Sequence, residues 1–199
     1  MPKEPVTDLD ARAVRASVDL VSRVTPADLT RPTPCGPWNL GNLLAHMIAQ
    51  HHGFAASARG GAADLADWRP GPPPADPAKA YAAAADEVLA AFAEEGVLDR
   101  PFALPEILPN VTFPGRQAVG FHLVDYTVHG WDVARSLGVD LTLDPAVLEA
   151  SRRVAAVVPG GDYRTQPKAA FAPARTAPPG AGALDEIVAM LGRSPTWPA

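Results

Sequence analysis

GRQAVGFHLVDYTVHGWDVARSL, residues 115–137, is the stretch that decides the fold. It contains no proline, and Gly138 follows it where a glycine C-cap belongs, so it predicts one long helix. Its inner segment FHLVDYTVHGWD, residues 121–132, sets Asp125 and His129 one turn apart. At about 100° per residue the two side chains lie roughly 40° apart on one face, close enough to grip a single ion.

Upstream, Pro37 stands where a first helical residue tolerates a missing N–H, and a helix is expected from about Trp38 to Ala58. Leu40, Leu43, Leu44 and Met47 follow the i, i+3, i+4, i+7 rule and give that helix a buried face. A first helix reads over 8–24, with Asp8 after Thr7 offering cap chemistry and Thr25-Pro26 closing it. An alanine-based helix reads over about 78–95, after the rigid connector RPGPPPADP at 69–77.

Residues 97–115 suit a crossover loop or a short β-hairpin, and the sequence leaves both open. A further helix opens at Asp144-Pro145 and runs to about Val158, and a short one spans about Leu184–Leu191. Between them, 159–182 is Gly/Pro-rich and reads as an irregular loop. Four long helices with accessories imply an all-α bundle, and bundle interiors build metal sites from facing helices. The whole of 1–199 is read as one domain with a C-terminal extension from about 159.

Composition narrows the function classes. The chain has 199 residues, 47% hydrophobic and 20% charged, which suits a folded soluble protein. Its formal charge is −5, with 17 basic and 22 acidic residues scattered along it. No basic patch is legible, so nucleic acid is not an expected partner. No apolar run reaches the roughly 18–20 residues of a spanning helix, and MPKEPVTDLD lacks the apolar core of a secretory signal. With a single cysteine, Cys35, and no membrane contact expected, the chain is read as cytoplasmic.

A third ligand for the Asp125–His129 pair has to come from another helix. His46 sits on the flank of the apolar stripe of 38–58, whereas His51 and His52 are turned about 140° and 120° away in opposite senses. Two imidazoles and a carboxylate suit zinc first, then nickel or iron, and three ligands leave a position open. His122 lies two turns before His129 on nearly the same face, and Asp132 two turns after Asp125. Asp132 could either orient a ligand imidazole from outside the ion or pair with Arg135.

CGPWNLGNLLAHM (35–47), HLVDYTVHGWDVARSLG (122–138) and LGRSPTW (191–197) together resemble a bacterial group of the DinB-like superfamily. That group is similar to the metal-binding domain of mycothiol-dependent maleylpyruvate isomerase. The resemblance extends over nearly the whole chain and implies an up-down-down-up four-helix bundle. It also implies a metal held by a His of the second helix and an acid-or-His plus a His on a later one, positions matching His46, Asp125 and His129. The isomerase domain carries Glu where this chain has Asp125, a side chain shorter by about 1.5 Å of reach. The ion then sits nearer this helix, binds less tightly, or is assisted by His122. The chain also looks too short for the isomerase's full second domain, so isomerase activity does not transfer with the likeness.

Three functions follow as expectations. The first is a transferase or isomerase that activates mycothiol or a similar small thiol at an open metal position. The second is a metal-dependent hydrolase with Asp132 as base. The third is a non-catalytic module whose ion is closed by a fourth ligand such as His122. Cys35, in a Pro/Gly loop, is read as structural, Trp131 as packing, and Tyr126 as without a role at the site. Small-molecule substrate and thiol are the expected partners, and a homodimer stays open because helical bundles often dimerise.

Overall fold

Short polar side chains set most of the helix starts. The computed structural model describes residues 4–166 and 169–198, and its helices are α1 (Val6–Val21), α2 (Leu40–Ala58), α3 (Pro77–Phe92), α4 (Gly115–Leu137), α5 (Pro145–Ala155) and α6 (Ala183–Met190). Asn39 accepts from the Asn42 N–H at 2.9 Å, so α2 begins at Leu40 and Pro37 stays in the loop. Asp76 and Asp144 accept from Lys79 N and Ala146 N at 3.0 and 2.8 Å, each just before a proline at the first helical position. The expected Asp8 cap is not used: α1 starts after Pro5 with no side-chain cap, and Asp8 lies in its first turn. Thr25 instead donates twice to Asp28, fixing a 3-10 turn over Pro26–Thr30, and α1 stops at Val21. α3 and α5 end at Phe92 and Ala155, short of the expected Glu95 and Val158.

Side-chain contacts fix the helix directions. Asp10 meets His122 and Ser17 lies beside Gly130, so α1 and α4 run parallel. His46 meets His129 and His51 meets His122, so α2 opposes α4. His52 meets Glu87 and Arg59 meets Glu94, so α2 and α3 run the same way. The bundle is therefore up-down-down-up, the all-α DinB-like arrangement.

Parallel α2 and α3 need a connection as long as the bundle, which the Pro-rich segment before Asp76 supplies. The open question at 97–115 resolves as a hairpin, β1 (Pro101–Ala103) against β2 (Thr112–Pro114), with Phe102 opposite Phe113. β2 runs straight into α4 at Gly115, where an added Cβ would collide with the Val97 carbonyl oxygen. Residues 159–182 are irregular apart from a 3-10 turn at Gly161–Thr165, and 167–168 lie outside the described residues.

α4 is the wrapped element. One face packs with Leu43, Leu44, Met47 and Tyr81, and its upper part meets Phe54, Phe92 and Phe102. Its far side carries Val124, Val128 and Trp131 against Ile187, Val188 and Leu191 of the α6 region, so Trp131 is packing as expected. Wrapping on all sides buries its polar residues too: His122, Thr127, His129 and Asp132 are all buried. Buried polar groups require partners, and those partners define the site. Among the described residues no helix is long and apolar enough to cross a membrane.

Candidate metal centre

His46 from α2 and Asp125 and His129 from α4 converge. Each offers a ligand atom, and these atoms all lie within 4.8 Å of one another. The His46 and His129 rings meet edge-on at 5.2 Å, and Asp125 Oδ1 is 3.4 Å from His129 Nε2. Aspartate's shorter reach is thus enough to join the cluster. Its other oxygen, Oδ2, is buried with no hydrogen-bond partner. A buried carboxylate oxygen left unmatched is costly, and a cation at this point would satisfy it. His129 is buried, while Asp125 keeps 22% of its side-chain surface, so the cluster opens outward at that residue.

Protonation favours ligation. Burial, then the nearby His129 ring, push the His46 imidazole down to about 4, so it is neutral at pH 7 with a free lone pair. Trp38 covers it at 4.9 Å. His129 is set differently. Asp132 Oδ2 lies 2.9 Å from His129 Nδ1 and accepts a hydrogen bond from it, which directs Nε2 towards Asp125 and His46.

Asp132 is fully buried and needs compensation of its own. Arg193 donates to it from Nη2 at 3.0 Å and from Nε at 3.4 Å. Burial pushes the Asp132 carboxyl up, but the Arg193 charge and the His129 hydrogen bond more than offset this and hold it below its usual range. Of the two readings open for Asp132, the His129 contact is the one formed. Arg135 turns outward to the Pro195 carbonyl and over the Trp131 ring.

Cys35 is not merely packed. It is half-buried on the rim, with Sγ 3.5 Å from Arg193 Nη2. Cys35, His129 and Asp132 form a second close triplet, and the Arg193 guanidinium already supplies a cation to its Asp132 and Cys35 members. Burial raises the thiol to about 11, with Asp132 and Asp125 adding to the effect against Arg193, so it stays protonated at pH 7.

His122 is not brought to the triplet. Its Nδ1 lies 2.7 Å from Asp10 Oδ1 and its Nε2 3.2 Å from His51 Nδ1, all inside the core. His51 stacks on Tyr126 at 4.0 Å, and the Tyr126 hydroxyl donates to the Met47 carbonyl beside His46. Tyr126 therefore braces α2 against α4 at the level of the site, a task its sequence position does not reveal. His52 faces outward and pairs with Glu87. Arg193 is the chief residue that sequence reasoning missed. Its signal was present in LGRSPTW, but nothing local says that this segment reaches α4.

Residues 11–134 match the family model described as mycothiol maleylpyruvate isomerase N-terminal domain. Uncharacterized proteins from two strains of Mycobacterium tuberculosis are 30% identical over 188 residues, covering 92% of this chain and 94% of theirs. The crystal structure of the mycothiol-dependent maleylpyruvate isomerase aligns with a TM-score of 0.58 at 15% identity, over 83% of this chain and 72% of that one. A histidine-to-alanine mutant of that enzyme aligns over the same shares at 0.59 and 14%. At such identities the structures establish a shared fold, and the family model, matching more than half of the chain, establishes membership: this protein belongs to the mycothiol maleylpyruvate isomerase N-terminal domain family.

Proposed function

We propose that the chain holds one divalent transition metal with His46, Asp125 and His129 and uses it, with mycothiol or a similar small thiol, in a transfer or isomerisation reaction. The observation that carries this reading is the unmatched buried Oδ2 of Asp125 inside a cluster of three ligand-type side chains. Two imidazoles and one carboxylate suit zinc best, with nickel or iron next. Such an ion, when bound, acts as a Lewis acid that lowers the pKa of a thiol at its open position.

The chain's own part is positioning. Burial keeps His46 neutral, Asp132 keeps the His129 proton on Nδ1, and Arg193 keeps Asp132 ionised. Trp38 and the core-facing side of α4 exclude water from behind the cluster, leaving Asp125 as the open flank. The hydrolase reading loses its base, since Asp132 is committed to His129 and Arg193. A closed, non-catalytic ion loses its fourth ligand, since His122 is committed to Asp10 and His51.

Elemental analysis of the purified protein beside an Asp125→Ala variant is the direct test. The wild type is expected to carry about one metal per chain, as a three-ligand centre would. The variant should lose most of it, because two imidazoles alone leave the ion's charge unneutralised. Equal metal content in both, or none in the wild type after loading with zinc, overturns the reading.

A further inference from the structure

The loop between the first 3-10 turn and α2 is pinched shut at its base. Pro32 and Asn39 bridge as antiparallel partners, and the Leu40 N–H donates to the Arg31 carbonyl at 2.9 Å. Arg31 Nη1 also donates to the Ser136 carbonyl at 3.3 Å, which ties that base to the end of α4. Inside the loop Thr33 is buried. Its hydroxyl donates to the Trp38 carbonyl at 2.9 Å and accepts from the Cys35 N–H at 3.1 Å. One side chain therefore spans the loop and fixes the backbone of both Cys35 and Trp38.

Those two residues are where the loop meets the centre. The Trp38 ring lies 4.9 Å from that of His46, the ligand histidine of α2. Cys35 Sγ lies within 4.8 Å of ligand-type atoms of His129 and Asp132 on α4, and 3.5 Å from Arg193 Nη2. The loop thus reaches the ligand histidines of both helices, and its shape is set from within by Thr33. Valine would fill much the same space but could neither donate nor accept, so both bonds would be lost together. We propose that Thr33 is a positioning residue that holds Trp38 against His46 and Cys35 beside His129, making this loop a fixed wall of the centre. Its role there rests on the metal reading above and adds to it a residue that touches none of the ligands.

Full-length Thr33→Val and Thr33→Ser variants test it with two readouts that need no turnover. The first is the rate at which Cys35, the single cysteine of the chain, reacts with the uncharged disulfide dithiodipyridine in metal-free protein. The second is cobalt affinity, by competition with a chelator. In T33V the thiol should react about tenfold faster, because two hydrogen bonds of ordinary strength no longer oppose opening of the loop. Cobalt affinity should fall about fivefold, less than for a direct neighbour of a ligand. T33S keeps the hydroxyl and should hold both readouts within about twofold of wild type. Thr33→Ala, which removes the same hydroxyl, takes the place of T33V if that variant does not fold. Ser57→Ala controls for stability alone, since it removes a buried hydrogen bond to the Ala103 carbonyl about 16 Å along α2 from His46. S57A should leave both readouts at wild-type values. Either readout unmoved in T33V, a T33S that behaves like T33V, or equal changes in S57A overturns the positioning role and leaves the metal reading intact. A wild type that binds no cobalt overturns the metal reading and this role with it.

Discussion

His122 and His129 sit seven residues apart on α4, each with a carboxylate against Nδ1, and they are put to different uses. His129 meets Asp132 at 2.9 Å and His122 meets Asp10 at 2.7 Å. The two pairs differ in their surroundings. Asp132 has Arg193 and is held as a carboxylate, whereas Asp10 has only His122 among the described residues, and burial dominates and raises it. Beyond the histidine, Nε2 of His129 faces Asp125 and His46 at an opening, while Nε2 of His122 faces His51 among Phe54, Phe92 and Tyr126. A carboxylate–histidine pair is therefore not itself a site. It becomes a candidate centre where a second cation frees the carboxylate from its burial cost and further ligands meet the far nitrogen.

Asp10→Ala should have the largest effect on folding. It strips a partner from a fully buried pair and is expected to cost about 3–5 kcal/mol of stability, read as a lower urea midpoint. Metal content of the folded fraction should match wild type. If metal is lost as well, the two assemblies are not separate, and the contrast between them fails.

Arg193→Met comes next. It leaves Asp132 with His129 alone, for a stability loss of about 2–3 kcal/mol. Metal affinity, measured by competition with a chelator, should fall by about 10- to 100-fold, because the orientation of His129 is loosened. A variant that loses stability but keeps full metal affinity would show that Arg193 serves packing only.

The smallest effect separates the two by pH. In metal-free protein His46 is buried as a neutral ring, with its pKa depressed from 6.5 to about 4. The unfolded chain takes up that proton first, so the stability contributed by His46 is full above pH 6.5 and is lost as pH falls towards 4. His51, also depressed by burial, acts with the same sign in wild type and variant alike. Wild type should therefore lose on the order of 2 kcal/mol more than His46→Asn across that window, by urea unfolding at a series of pH values. Parallel curves would mean that His46 titrates freely and is not held neutral for a ligand.

The bundle and three of its side chains were readable from local pattern. Helical periodicity exposed α2 and α4, and a four-residue spacing joined Asp125 to His129, because both are consequences of one helix's geometry. The cap positions were read less well. Asp8 and Pro37 had suitable chemistry, but Pro5 and Asn39 took the places once tertiary packing fixed where the chain turns. The likeness of LGRSPTW to a known group marked that segment without saying what it touches.

The sequence alone determined the elements, their faces and the pairing of residues within a helix, since these depend on a repeat a few residues long. Only the tertiary structure decided which of two similar histidines would face an opening and which would face the core. It also brought Arg193 and Cys35 to the same place from the tail and the first loop. Contacts across such separations depend on helix directions and loop paths, which no local spacing encodes.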